Sequence, residues 1–372
     1  MGQGKFAEHK YFNNLIGEFD MQRTFEKIKE GFKWFRDVTE ADGDELYKSI
    51  CNIIMNSEEL MRLADNVPMG QPYPNIILGG IHYLLLQGAD DPLKEYFATI
   101  QGKNVRQVDE ELPTNLFSFF EKYRSEMLEI CKTKRVQTND VGRCAFILPA
   151  LAYLKNLIEM PLILLEIGTS AGLLLNYDQY GIEYSDGKIG GRTNSKLKLR
   201  CEIRGSITPP RGELPQITKR IGIDLFPVDI TKPNEALWLE ALVWENNVSR
   251  FNTLRTAIEI AKQTNGNVEL IQADGFRSIL DILQKYLLPD HTLCIYHSFA
   301  INQISKEDKE TYYESLKKYS DDNSLLIYEV TVTSDMNKVP KLLLNTIEKG
   351  DISTTTLAKM HYHGQWIEWL VE

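Results

Sequence analysis

The segment around Glu166 combines residue types that can bind a charged small molecule. Glu166 lies near the end of an apolar run of the strand type, Leu162–Ile167, and the residues that follow are small. These are Gly168, Thr169, Ser170, Ala171 and Gly172. At a turn from a strand into a helix, small residues let the backbone approach a ligand, and the helix N-terminus adds N–H groups and a partial positive charge. The segment therefore predicts a site for a nucleotide-bearing cofactor, in which Glu166 faces the ammonium of the methionine moiety of S-adenosylmethionine.

Two further acids end later predicted strands. Asp224 follows an Ile-Gly-Ile run, and Asp274 precedes Gly275 and Phe276. The carboxyl ends of parallel strands meet at one edge of a sheet, so we expect all of these residues near the turn after Glu166. Asp224 would accept the ribose hydroxyls, Asp274 would face the adenine amino group, and Phe276 would pack against the adenine ring. A tight turn without a ligand is the alternative, and Asp224 could equally cap a helix or a turn.

Four more polar residues are candidates for the acceptor side of this site. His297 ends the fourth predicted strand and Glu329 nearly ends the fifth, so each is a candidate for binding or deprotonating a methyl acceptor. Either could instead be a satisfied polar group near the sheet edge. Asn139 and Arg143, just before the sheet, are candidate substrate-binding residues. Asn139 or Thr138 could instead cap the following helix, whereas Arg143 could reach the crevice and bind a carboxylate.

The same turn also has the pattern of a catalytic serine. Residues 168–172 form G-x-S-x-G, the nucleophile elbow of α/β-hydrolases, in which Ser170 would be exposed between strand and helix. An acid and a histidine follow in the required order, as Glu329 or Asp335 and then His361 or His363. Two observations oppose this interpretation: the elbow strand is the first of the sheet, and no HGGG-type oxyanion segment is present.

The spacing of histidines and cysteines gives little support for a metal. His361 and His363 flank a single residue beside a turn, and without a nearby carboxylate partner we expect them to be turn residues. The five Cys are widely spread and include no C-x-x-C pair, which argues against a cysteine zinc site and against a disulfide framework. We therefore expect no metal, and a reducing compartment.

The elements that must position these residues change type part-way along the 372-residue chain. Apolar residues recur at helical spacing early on, which predicts an all-helical domain over residues 1–158. From 159 to 372 strand-type runs alternate with helical ones, including predicted helices over 171–180 and 235–262, and this indicates a parallel sheet with crossover helices. The runs 354–360 and 365–370 predict a closing antiparallel hairpin. The predicted fold class is α/β, with a Rossmann-like methyltransferase sheet after a helical domain.

A basic insertion interrupts this alternation near residues 185–218. Between residues 188 and 220 nine Lys and Arg stand against two Glu, although the whole chain carries a formal charge of -10. Apolar and charged residues alternate from Lys196 to Ile203, which predicts a hairpin with one basic face. That face is either a solvated surface or a platform for an anionic substrate.

Composition limits the partners and the compartment. The negative net charge argues against a general nucleic-acid or membrane binder, so nucleic acid is unlikely except through the basic insertion. The longest apolar run is too short to span a membrane, and the first residues lack an apolar signal core. Gly2 invites N-myristoylation, but Phe6 stands where Ser or Thr is required. We expect a soluble cytoplasmic protein acting on a small-molecule or anionic substrate.

Several segments together resemble one family. They are Pro74-Asn75 with Gly80–Leu86, Val136–Arg143, Leu165–Leu173, Gly222–Asp224 with Pro227–Asp229, and His361–Trp369. In this order they resemble the bacterial domain-of-unknown-function 2332 family over most of the chain. The resemblance implies a helical N-terminal part followed by a methyltransferase-like Rossmann half, and it brings no established substrate.

Three functions remain open from the sequence. The leading hypothesis is an S-adenosylmethionine-dependent methyltransferase of unknown acceptor, with the helical half covering the crevice. The second is a serine hydrolase that uses Ser170. The third is a non-catalytic binding protein with a degenerate methyltransferase fold, because Ser170 replaces the middle glycine of the full fingerprint.

Overall fold

The computed structural model describes residues 23–264, 267–334 and 339–372. The predictions about Gly2, Phe6 and Asp335 lie outside these residues. The described residues form two compact units, of which the first comprises residues 23–138 together with Lys232–Asn252. The second comprises Asn139–Thr231 and Thr253–Glu372. Within the described residues, no helix has the length and apolar composition needed to cross a membrane.

The first unit is helical. Its helices are α1 (Phe25–Asp42), α2 (Glu45–Met55), α3 (Glu58–Met61), α4 (Tyr73–Leu86), α5 (Ala98–Gln101), α6 (Leu112–Lys122), α7 (Arg124–Thr133) and, from the later segment, α9 (Pro233–Ala241). The Thr24 side chain caps α1, and Gly43 ends it with φ of 79°. Helix α4 is apolar on all sides and almost wholly buried, so it forms the centre of the core. Trp238 and Ala241 of α9 belong to the same core.

Two buried acids lie where the later segment packs on the helices of this unit. Asp44 caps α2 by accepting a 2.8 Å hydrogen bond from the Tyr47 backbone, and Glu245 accepts one of 2.7 Å from the Ala98 backbone. Burial raises the pKa of Asp44 to about 7 and that of Glu245 to about 8. The nearby charge of Asp44 adds to the rise at Glu245. Both acids therefore hold protons at pH values where exposed carboxyls have lost them.

The second unit is built on an eleven-stranded sheet in the order β3-β2-β4-β11-β10-β9-β8-β7-β1-β5-β6. Its strands are β1 (Leu162–Ile167), β2 (Gly181–Tyr184), β3 (Ile189–Gly191), β4 (Lys198–Arg204), β5 (Ile217–Asp224), β6 (Glu269–Gln272), β7 (Thr292–Ser298), β8 (Ile327–Thr333), β9 (Lys341–Glu348), β10 (Asp351–Met360) and β11 (Trp366–Trp369). The remaining helices are α8 (Cys144–Lys155), α10 (Val248–Gln263), α11 (Ile279–Tyr286) and α12 (Lys306–Asn323). The predicted mixed α/β architecture, with a helical region and a mostly parallel sheet, is confirmed.

The chain changes direction across the sheet at β1. After the inserted strands β2 to β4, the chain adds β5 and β6 on one side of β1 and then places β7 and β8 in parallel on the other side. All six residues of β1 are buried, as expected of a central parallel strand. In such sheets ligands bind beyond the carboxyl ends of the strands where the order reverses. A ligand is therefore expected at the ends of β1, β5 and β7.

The predicted C-terminal hairpin is confirmed as β10 and β11, which pair antiparallel. Strand β9 was not predicted, and it joins this hairpin to the parallel strands by pairing antiparallel with both β8 and β10. Strands β8 to β11 therefore form an antiparallel meander within the sheet.

Two predicted helices differ from the structure. In place of a helix over 171–180 there is a short 3₁₀ segment, Leu174–Gln179, with non-helical angles at Asn176. The Asn176 side chain donates a 3.2 Å hydrogen bond to the Gly172 carbonyl oxygen, and this local bond competes with helix formation. The predicted helix over 235–262 is divided into α9 and α10. Because only this 3₁₀ segment follows the glycine turn, the prediction of a helix dipole at the turn was wrong.

The predicted basic hairpin is wrong in its pairing. Strands β2 and β3 form a short antiparallel hairpin, but β4, which carries the alternating basic residues, runs parallel to both β2 and β11. The insertion therefore lengthens the main sheet by three strands.

Candidate functional site

The turn after β1 adopts a conformation that requires its glycines. Gly168 and Gly172 have φ of 76° and 70°, and Ser170 between them has φ of 52°. A left-handed conformation costs a residue with a side chain about 1–2 kcal/mol, so Ser170 must be held by its surroundings. Its hydroxyl accepts a 2.6 Å hydrogen bond from Asn139, and its carbonyl accepts one of 3.0 Å from the Val228 backbone. The turn is thus fixed from two sides.

Asp224 holds the same turn from the end of β5. Its Oδ2 accepts a 2.8 Å hydrogen bond from the Ser170 backbone, and its Oδ1 accepts one of 2.9 Å from the Phe226 backbone. Asp224 therefore stabilises two backbone turns, as the capping interpretation predicted. Each carboxylate oxygen keeps a second acceptor position, so this role leaves Asp224 able to bind a ligand hydroxyl.

Glu166 is the buried acid of the turn. Glu166 is only 2% exposed, and its Oε2 accepts a 2.6 Å hydrogen bond from the Thr169 hydroxyl. Burial, with a smaller contribution from the Asp224 charge, raises the pKa of Glu166 to about 8, against the opposing effects of Thr169 and Arg143. Glu166 is therefore largely protonated at neutral pH, and a nearby cation would favour its ionised form.

Two hydroxyls beside Glu166, those of Tyr296 and Ser298, were missed by the sequence analysis. On the adjacent strand β7, Tyr296 is the register partner of Glu166. Side chains alternate along a strand, so Tyr296 and Ser298 lie on the face that carries Glu166. That alternation could have been read from the sequence, but the pairing of β1 with β7 could not.

The Asp274 turn closes on β1 by tight packing. Asp274 Oδ1 accepts hydrogen bonds from the backbones of Phe276 and Arg277, at 3.2 and 3.1 Å. A Cβ atom at Gly275 would lie 2.7 Å from Ile167, so only glycine lets this turn approach β1. Phe276 is buried in the sheet core, with its ring 5.4 Å from that of His297.

His297 and Glu329 form a completely buried pair. Both residues are 0% exposed, and His297 Nε2 lies 2.9 Å from Glu329 Oε1. The other imidazole nitrogen is hydrogen-bonded to the Thr331 hydroxyl at 3.0 Å. Glu329 also accepts hydrogen bonds from Tyr312, Tyr313 and Asn345. Burial alone would raise the pKa of Glu329, but the His297 charge and these hydrogen bonds outweigh it and lower the pKa.

The sheet separates the predicted residues into two groups. His297 pairs in register with Ile167, whereas Glu166 pairs with Tyr296, so the His297 and Glu166 side chains lie on opposite faces. The structure brings one group of predicted residues together at the turn: Asn139, Glu166, Ser170 and Asp224. It places His297, Glu329 and Phe276 in the packed layer on the other face.

The loop between β10 and β11 crosses the segment that precedes α8. Asp140 caps this segment by accepting a 3.1 Å hydrogen bond from the Gly142 backbone, a role predicted for Thr138 or Asn139. The other Asp140 oxygen contacts the His363 ring. This corrects the expectation that the two histidines lack a carboxylate partner. A Cβ atom on Gly364, which has φ of 70°, would overlap the Gly142 carbonyl, so the two backbones touch.

Arg143 is buried between this loop and the end of β7. Its guanidinium lies 4.9 Å from the centre of the Phe299 ring, and its Nε donates a 3.4 Å hydrogen bond to the Tyr362 carbonyl. Its positive charge lowers the pKa values of both Glu166 and Tyr296. Arg143 therefore contributes positive charge to the face that carries Glu166.

The residues predicted for a hydrolase have other partners. Ser170 is 3% exposed, and its hydroxyl is bonded to Asn139. The histidine that contacts Glu329 is His297, and the acid that contacts His363 is Asp140. Among the described His, Cys, Asp and Glu residues, no group of three is arranged to hold a metal ion.

One family model matches almost the whole chain. It is the family described as "Uncharacterized protein conserved in bacteria (DUF2332)", and the match covers residues 29–369. The chain belongs to this family. It matches no curated protein and no solved structure.

Three of the segments that carry the DUF2332 resemblance meet at this site. Asn139, in 136–143, contacts Ser170, in 165–173. Asp140, also in 136–143, contacts His363, in 361–369. Segments more than 200 residues apart in the chain thus form one structure at the ends of β1 and β5.

Four of the nine basic residues between 188 and 220 of this DUF2332 protein form ion pairs with acids of the same region. The pairs are Arg211 with Asp186, Arg220 with Asp178, Arg200 with Glu183 and Arg204 with Glu202. Three of these acids precede residue 188, so a count that starts there omits them. The pairing favours a role of these residues in stabilising the edge of the sheet. A basic platform for an anionic substrate stays a prediction.

Proposed function

We propose that this protein binds S-adenosylmethionine at the carboxyl ends of β1, β5 and β6 and transfers its methyl group to a small-molecule acceptor. The observation that carries the proposal is the meeting of Glu166, Asp224 and the left-handed turn 168–172 where the strand order reverses. Asp274 lies in the turn that follows β6, at the same edge of the sheet.

Each residue has a defined role in this proposal. Asp224 accepts the ribose hydroxyls with its remaining acceptor positions, while Asp274 faces the adenine amino group. Glu166 faces the ammonium of the methionine part, whose positive charge favours the ionised carboxylate. The sulfonium already activates the methyl group, so the protein accelerates transfer mainly by alignment, which can lower a barrier by about 7–11 kcal/mol.

The lack of a regular helix after the turn favours this cofactor over a dinucleotide. A helix N-terminus stabilises phosphate, but the segment after the turn is only the 3₁₀ stretch Leu174–Gln179. Adenosylmethionine carries no phosphate, and its sulfonium and ammonium are positive. A buried acid without a helix dipole suits such a ligand.

His297 and Glu329 are given a positioning role in this proposal. Their complete burial and mutual hydrogen bond hold the ends of β7 and β8 together. A role for either as a base toward the acceptor stays a prediction.

Calorimetric titration with adenosylmethionine and adenosylhomocysteine tests the cofactor. We expect Asp224→Asn and Glu166→Gln to weaken binding at least about tenfold, since hydrogen bonds to charged groups are worth about 1.5–3 kcal/mol. Asp91→Asn is the matched control, because Asp91 also accepts a backbone hydrogen bond two residues ahead, in the helical unit. Absence of binding by the wild-type protein to either compound would overturn the proposal.

A serine hydrolase is the second candidate. The φ of 52° at Ser170 favours it, because a nucleophile elbow holds its serine in a strained conformation between two glycines. Labelling by a fluorophosphonate that Ser170→Ala abolishes would support it. A protein that shows neither labelling nor cofactor binding would fit the non-catalytic alternative.

A further inference from the structure

Two buried hydroxyls beside Glu166 have no hydrogen-bond partner among the described residues other than each other. They are Tyr296 Oη and Ser298 Oγ, both at the carboxyl end of β7. Tyr296 is 2% exposed, and it is the register partner of Glu166. One hydrogen bond between the two hydroxyls still leaves one O–H without an acceptor, and a buried polar group without a partner costs about 1–3 kcal/mol, so a ligand that accepts from that O–H would bind favourably here.

The surroundings define the charge of that ligand. The Arg143 charge acts on both Tyr296 and Glu166, and the Ser298 hydroxyl lies beside Tyr296. Two hydroxyls and a guanidinium are all hydrogen-bond donors, which suit an anion, and a guanidinium matches the planar geometry of a carboxylate. The neighbouring Glu166 suits a cation. A carboxylate and an ammonium on one carbon, the two groups of an α-amino acid, satisfy both sides.

We propose that Arg143, Tyr296 and Ser298 bind the carboxylate of an α-amino-acid group whose ammonium is held by Glu166. The proposal rests on the proposed function, because the methionine part of adenosylmethionine is such a group. An amino-acid acceptor would present the same chemistry, so the experiment must separate the two sources.

The test compares adenosylhomocysteine with methylthioadenosine, which keeps the nucleoside and lacks the amino-acid part. For the double variant Tyr296→Phe, Ser298→Ala, calorimetry should show about tenfold weaker adenosylhomocysteine binding and unchanged methylthioadenosine binding. Tyr328→Phe is the matched control. Tyr328 of β8 lies on the same face of the sheet as Tyr296, but it pairs with Cys294, two residues before Tyr296 along β7. Because the double variant removes both hydroxyls together and leaves neither unpaired, it should not lower the melting temperature of the unliganded protein.

The other outcomes are decided by a third titration, with L-methionine. If adenosylhomocysteine binding is unchanged, but L-methionine binds the adenosylhomocysteine-saturated wild type and not the double variant, the subsite serves the acceptor. If the wild type binds neither nucleoside, the proposed function fails, and L-methionine binding that the double variant loses would still support the subsite. Equal L-methionine binding by both proteins, with unchanged adenosylhomocysteine binding, would overturn it.

Discussion

Glu166 and Tyr296 are register partners on the adjacent parallel strands β1 and β7, so their side chains lie next to each other on one face of the sheet. One residue further along each strand, Ile167 and His297 are paired on the opposite face. A buried acid therefore has a buried hydroxyl for a neighbour, and the His297–Glu329 pair is separated from both by the sheet itself.

The buried acid should make stability depend on pH. The pKa of Glu166 is raised from 4.5 to about 8, so between these values the folded protein holds a proton that the unfolded chain has lost. Stability from this group is therefore fully present below pH 4.5 and falls as pH rises toward 8, by up to about 1.4 kcal/mol per pH unit. Glu166→Gln should reduce the slope measured by urea unfolding from pH 5 to 8.5, and the part that remains should come from the other buried acids, Asp44 and Glu245. Glu126→Gln, on the exposed surface of α7, should keep the full slope, and an unchanged slope in Glu166→Gln would show that the acid is solvated.

The backbone amides of the helical unit should lose protection from hydrogen exchange over a similar pH range. Asp44 and Glu245 have pKa values raised from 3.8 and 4.5 to about 7 and about 8, so ionisation of both opposes folding as pH rises from 5 to 8. Hydrogen exchange in α2 should speed up over this range, and less so in Glu245→Gln, whose amide still accepts from Ala98. Glu45→Gln, an exposed neighbour, serves as the control. If it flattens the pH dependence as much, the buried pair is not the cause.

The crossing of the two loops should make Gly364 far less replaceable than other glycines with the same backbone angle. Gly364→Ala adds a Cβ atom that overlaps the Gly142 carbonyl, and we expect a loss of more than about 2 kcal/mol. Gly187→Ala is the matched control, because Gly187 has φ of 80° with open space around it and should lose only about 1–2 kcal/mol from the backbone angle. Urea unfolding measures both. Equal losses would mean that the loops separate without cost.

The sequence predicted the parts of the fold that depend on local patterns. The apolar run Leu162–Ile167 correctly indicated a strand, and the runs 354–360 and 365–370 correctly indicated a closing hairpin. The failure at 171–180 also has a local cause, since the Asn176 side chain bonds to the Gly172 carbonyl, but apolar spacing alone does not reveal it.

The site was less predictable because its contacts are distant in sequence. Asp140 and His363 are 223 residues apart, and no spacing rule pairs them. The assignment of Glu166 and His297 to opposite faces requires knowing that β1 and β7 are neighbours, which the order of strands along the chain does not state. The polar residues around Ser170 could be named from the sequence, but the hydrogen bonds that they form could not.

The division of the helical unit between two stretches of chain has a consequence for synthesis. Trp238 and Ala241 complete its core, so the unit cannot finish folding until the ribosome has passed them. By then β1 to β5 have already been made, and they must wait for β6 to β11. An expressed fragment that stops at residue 158 would contain every early helix and still expose the apolar surface that α9 covers, so aggregation rather than a soluble domain is its expected fate.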